Sequence, residues 1–117
     1  MSENRDPAVF IEDMLKATEK IIAYAKGITP EELFGHQETV DAILYNLLIL
    51  GKAAKGVPEE IRATNPEIPW RSITGMRDKI IHQYWGVNQI LVWKAVTEEI
   101  PPLISLLKGI LDTLDTG

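Results

Sequence analysis

The chain has no cysteine. That single absence removes disulfide frameworks, thiolate zinc sites and thiol nucleophiles together, and it is compatible with a reducing cytoplasm, the expected location. Histidine is scarce too. His36 and His82 fall in different elements, and with Glu59-Glu60, Glu98-Glu99 and scattered aspartates they make no metal-ligand spacing such as H-E-x-x-H, so no metal or other cofactor is expected. Glycine-rich phosphate loops, nucleophile elbows and dinucleotide fingerprints are missing. The longest apolar runs, such as residues 42–50, fall well short of the ~20 residues that cross a bilayer. The opening MSENRDPAVF carries charges where a signal peptide would be apolar, so neither export nor membrane insertion is expected. No stretch alternates with period two between hairpin signals, which leaves no candidate sheet, and no internal repeat is found.

What is present is enough for one folded domain. A length of 117 residues allows a modest core, and 45% apolar with 25% charged residues is close to globular averages and does not favour a disordered or low-complexity chain. The formal net charge of −5 argues against non-specific coating of nucleic acid. The charge is uneven, however. Residues 70–94 carry Arg71, Arg77, Lys79 and Lys94 against Asp78 alone, and an anion would be met there.

Helical periodicity organises the chain. Asp6-Pro7 predicts an N-cap and first helical position, after which Phe10, Met14, Ala17, Ile21 and Tyr24 recur at helical spacing until Gly27. Thr29-Pro30-Glu31-Glu32 predicts a capping box on a short turn bearing Leu33 and Phe34. A long helix over residues 38–55 is apolar around much of its circumference, so it is either central or faces a second subunit. Gly56-Val57-Pro58 breaks it, and a short helix ends at Asn65-Pro66. The next helix runs from Trp70 to about Tyr84, with Trp85-Gly86 as the stop. The last begins near Asn88, with a stripe of Trp93, Val96, Ile100, Ile104, Leu107, Leu111 and Leu114 that Pro101-Pro102 should kink or split. The expected fold is all-α, an antiparallel bundle of four principal helices plus short helical turns, spanning residues 1–117 as one domain.

The chemistry concentrates in WRSITGMRDKIIHQYWG, residues 70–86. Ile73, Arg77, Ile80 and Tyr84 share a helical stripe, which places a guanidinium among apolar neighbours. Arg77 either snorkels past them to water or waits for a bidentate anion such as phosphate. His82 stands about 140° around the helix from Arg77, so a shared site needs the arginine to reach round, the helix to unwind, or a second copy to complete it across a two-fold axis. The last is favoured. Asp78, four residues before His82, is expected to orient the ring and favour its charged form. An imidazole titrating near neutrality suits RNA cleavage, taking the 2′-hydroxyl proton or protonating the leaving oxygen, although a capping or core histidine is the plainer reading. Tyr84 is either a buried ring with its hydroxyl at the edge or a contact to RNA. His36 reads as a surface residue, and Lys52 and Lys55 as solvated ones.

The pattern W-x2-I-x-G-x-R-D-x-I-x-H-x-Y, here Trp70, Ile73, Gly75, Arg77, Asp78, Ile80, His82 and Tyr84, resembles the HepT-like branch of the HEPN superfamily. Tyr24, Gly27, Phe34, Asp41-Ala42, the stretch 47–54, and Trp85-Gly86-Val87 with Val92-Trp93 extend the likeness through most of the chain. The resemblance implies the toxin of a prokaryotic type VII toxin–antitoxin pair, a metal-independent endoribonuclease acting as a cytoplasmic homodimer. It implies that Arg77 binds phosphate and stabilises transition-state charge, that His82 transfers protons, and that Asp78 is the polar neighbour. It also implies a cognate minimal nucleotidyltransferase as antitoxin, able to adenylylate Tyr84 and so block RNA by bulk and charge. Two departures stand out. Gly51-Lys52-Ala53 replaces the usual Gly-Glu-Ala, and Pro101-Pro102 doubles a single proline. The alternative is a non-catalytic helical dimer that binds a nucleotidyltransferase partner or a nucleotide with the same residues.

Overall fold

The computed structural model describes residues 6–82 and 88–116. Its elements are α1 (Pro7–Ala25), α2 (Pro30–Phe34), α3 (Gln37–Gly56), α4 (Glu59–Ala63), α5 (Trp70–His82), α6 (Gln89–Lys94), a π-helical turn (Ala95–Glu99) and α7 (Leu103–Thr116). Among the described residues there is no strand, as expected of an all-helical chain. No helix among them is long and apolar enough to cross a membrane.

Local chemistry sets the helix ends. Asp6 caps α1 by accepting from the Ala8 N–H at 2.9 Å, and Pro7 follows at the position where a missing N–H costs nothing. The chain leaves α1 through Gly27, whose φ of 73° is a left-handed conformation that a side chain would strain. At α2 the capping box is complete. The Glu32 N–H donates to Thr29 Oγ1 at 3.1 Å, and the Thr29 N–H donates to Glu32 Oε1 at 2.9 Å. Asn88 starts α6 by accepting from the backbone N–H groups of Ile90 and Leu91.

The core is one apolar cluster. Ile11, Met14 and Ile21 of α1 meet Ile43, Leu47 and Leu50 of α3, with Ile73 and Ile80 of α5 and Leu103 and Leu107 of α7 closing around them. Helix α3 packs against both α1 and α5, while α7 covers α1. The broad apolar circumference of α3 is therefore explained within one subunit, since each flank has its own neighbour. Two buried polar side chains are satisfied locally: Thr18 donates to the Met14 carbonyl at 2.8 Å and Asn46 to the Ala42 carbonyl at 2.8 Å.

Two details depart from the helical pattern. Tyr24, placed on the α1 stripe, is 41% exposed at the helix end, because Gly27 turns the chain away one turn later. In the last segment the Ile100 N–H donates to the Ala95 carbonyl at 2.8 Å, a five-residue loop rather than four. Val92, Val96, Ile100, Leu103, Leu107 and Ile110 are buried, whereas Ile104, Leu111 and Leu114 of the expected stripe are only half-buried.

Candidate functional site

Helix α5 is anchored at its start. The Trp70 indole N–H donates to the Asn65 carbonyl at 3.0 Å, and the Asn65 amide donates to the Ile61 carbonyl at 2.8 Å, tying the α4–α5 connection to the first turn. From there the expected stripe forms: Ile73 and Ile80 are buried, with Arg77 between them.

Arg77 is held by its stem rather than by its charge. A Cβ at Gly51 would collide with the Arg77 Cβ and lie 3.0 Å from its Cδ, so glycine at 51 is what lets α5 approach α3 here. The aliphatic part of the arginine lies over bare helix backbone, and the side chain is 26% exposed. The stem is thus covered, as the snorkelling reading requires, while the side chain keeps part of its surface in solvent.

The carboxylate beside it has partners that the sequence reading did not name. Asp78 Oδ1 accepts from Lys55 Nζ at 3.2 Å and from Arg77 Nη1 at 3.5 Å. Among the described residues, no hydrogen bond or ion pair joins Asp78 to His82. Its charge is met by two cations, one of them on α3. Lys55, read from the sequence as a solvated lysine, is instead an ion-pair partner across the α3–α5 seam, with its side chain 47% exposed. Such half-exposed pairs stabilise a fold by no more than about 1 kcal/mol. The signal for Lys55 was its spacing, four residues after Gly51 and so on the flank of α3 that meets α5.

His82 is exposed at the end of the described part of α5. On regular helix geometry Arg77, Ile81, Asp78 and His82 occupy successive directions over an arc of about 140°. Ile81, Asp78 and His82 are all exposed on it, Ile81 by 49%. A single chain therefore presents Arg77 and His82 at the two edges of one face of α5, not side by side. The predicted residue Tyr84, with the Trp85-Gly86 stop, lies outside the described residues. His36 is exposed and caps α3 with no side-chain hydrogen bond.

A separate cleft of about 380 Å³ opens between α5 and the segment 88–99, bordered by Ser72, Met76, Lys79, Leu91, Lys94 and Glu99. Arg77, Asp78 and His82 do not line it. Among the described residues no group of three histidine, aspartate or glutamate side chains is arranged to hold a metal ion.

These features define a small all-helical protein of HEPN-like architecture, with a seated arginine and an exposed histidine on one helix. The chain belongs to the HepT-like ribonuclease family: the family model described as Ribonuclease HepT-like matches residues 14–110. It is 39% identical over 94 residues to the "Probable ribonuclease HepT" of Thermococcus cleftensis, covering 80% of this chain and 86% of that one. Two proteins named "Putative RNase" are also similar. That of Caldanaerobacter subterraneus subsp. tengcongensis is 37% identical over 107 residues, 92% of this chain and 96% of its own. One from Methanocaldococcus jannaschii is 35% identical over 111 residues, 95% of this chain and 96% of its own. No solved structure matches the chain at comparable significance.

Proposed function

We propose that the protein is a metal-independent endoribonuclease, the toxin of a type VII toxin–antitoxin pair, and that Arg77 and His82 from two copies of the chain form its site. The observation that carries this reading is the seating of Arg77 on Gly51 at one edge of an open α5 face whose other edge is His82. In the proposed reaction His82 takes the proton of the 2′-hydroxyl, the 2′-oxygen attacks the adjacent phosphorus, and the bond from phosphorus to the 5′-oxygen breaks. The leaving oxygen collects a proton from that same imidazole, now protonated, or from water. Arg77 binds the phosphate and offsets the charge that builds on its oxygens.

The open face supports pairing. A two-fold axis through the arc would set Arg77 of one copy near His82 of the other and cover the exposed Ile81 of both. Membership of the HepT-like ribonuclease family, and the names of the similar proteins, support RNA as substrate. By the same likeness the partner is a minimal nucleotidyltransferase antitoxin that adenylylates Tyr84. The added negative charge there would repel RNA.

The test is incubation of purified protein with total RNA in the presence of a chelator. Fragments should form with wild type, and Arg77→Ala or His82→Ala should slow their appearance by at least about 100-fold, the usual share of an acid–base group. Cutting that survives both substitutions would sink the proposal. Tight RNA binding with no cutting over long incubation would favour the non-catalytic dimer instead.

A further inference from the structure

The Lys55–Asp78–Arg77 cluster spans two helices and contributes little to stability, yet it brings two cations to one oxygen atom. We propose that Lys55 is a second phosphate-contacting residue of the site, gripping an RNA backbone phosphate together with Arg77, and that Asp78 is the internal anion that gathers the two cations before the strand arrives. The inference rests on the ribonuclease reading and adds to it a residue outside the R-x4-H motif.

The geometry is the first argument. Both nitrogens bond to Asp78 Oδ1, so they lie within about 7 Å of each other, a gap that one phosphodiester can bridge with a free oxygen on each side. The charge balance is the second. Two cations against one carboxylate leave the cluster net positive, in a chain whose formal charge is −5, so an incoming anion is drawn to it. Accessibility is the third: Lys55 is 47% and Asp78 52% exposed, so the lysine head can leave the carboxylate for a better anion without disturbing the core. Position is the fourth. Lys55 lies only about 40° around α3 from Gly51, the glycine on which Arg77 rests, whereas exposed Lys52 lies about 100° away. The division of labour follows from side-chain chemistry, with the rooted guanidinium as the geometric fork and the mobile ammonium as a point charge.

Removing one phosphate-binding cation lowers the salt dependence of single-strand binding by a definite step, and the experiment reads that step. A short fluorescent 2′-O-methyl oligoribonucleotide, which offers no 2′-hydroxyl to attack, is titrated with the full-length protein between about 50 and 200 mM KCl. Wild type should bind with a steep negative slope of log affinity against log salt. Lys55→Gln should flatten the slope by about 0.7, the step for one single-strand phosphate. Lys55→Arg should keep the wild-type slope, and so should Lys108→Gln on α7, which makes the same charge change on a helix packed against α1. A wild-type slope in Lys55→Gln, or an equal flattening in Lys108→Gln, overturns the Lys55 proposal and leaves the ribonuclease reading standing. Absence of any salt-dependent binding by wild type overturns both.

Discussion

At the scale of the residue, one hydrogen atom decides where the guanidinium sits. Gly51 has no side chain, and the stem of Arg77 occupies the space a methyl group would need. Gly51→Ala should therefore push α5 away from α3, costing about 1–3 kcal/mol as overpacking at a tight seam does, and measurable as a lower midpoint in denaturant. Because the contact is to the Arg77 Cβ itself, the backbone of α5 must shift with it. RNA cleavage by Gly51→Ala should fall even where the protein is still folded, and unchanged turnover in folded Gly51→Ala would show that the seating of Arg77 is irrelevant to the chemistry. The sequence announces Arg77 through its neighbours Ile73 and Ile80. It says nothing of Gly51 as the floor beneath it, because the pairing of residues 26 positions apart depends on how two helices cross.

Helices are the next scale, and their boundaries are mostly written in single residues. Asp6-Pro7, the Thr29 box and Asn88 all cap where their types and spacings require. The Thr29 box also carries a pH signature. The Thr29 backbone N–H, and secondarily its hydroxyl, bond to the Glu32 carboxylate and hold its pKa below the ordinary glutamate value, with a smaller contribution from the charge of His36. A carboxylate whose folded pKa is lowered stabilises the fold above its unfolded pKa, and that contribution disappears as pH falls through the lowered value. The gap in melting temperature between wild type and Glu32→Gln should accordingly be present at neutral pH and close under acid conditions. Thr29→Ala removes the other half of the box and should cost about 1 kcal/mol at neutral pH. A Glu32→Gln gap that widens on acidification would contradict the box as a charge-assisted pair. The last element is where pattern reading loses its phase. The expected stripe took Ile104 and Leu111, which are half-covered, where the structure buries Leu103 and Ile110, each one residue earlier.

Across the whole molecule, an acidic chain has a local basic seam and an uncovered α5 face, and these two features make its proposed activity dependent on self-association. If each site takes Arg77 from one copy and His82 from the other, mixing inactive Arg77→Ala with inactive His82→Ala should restore activity. Random pairing makes half the dimers mixed, each with one intact site of two, so recovery should approach about a quarter of the wild-type rate. No recovery after the mixture has been unfolded and refolded together would place both residues in the same copy and remove the two-subunit proposal.

The all-helical class, the helix starts at Asp6, Thr29 and Asn88, and the buried stripe of Ile73 and Ile80 on α5 were determined by the sequence alone. Each depends on residues within a turn or two of one another, where periodicity and capping chemistry act directly. Tertiary structure decided what crosses between helices. It paired Asp78 with Lys55, and so made Lys55 part of the basic seam. It also set Arg77 on Gly51. Those contacts depend on how closely two helices approach and on which of several nearby charges a carboxylate meets first, quantities that no spacing along a single helix contains.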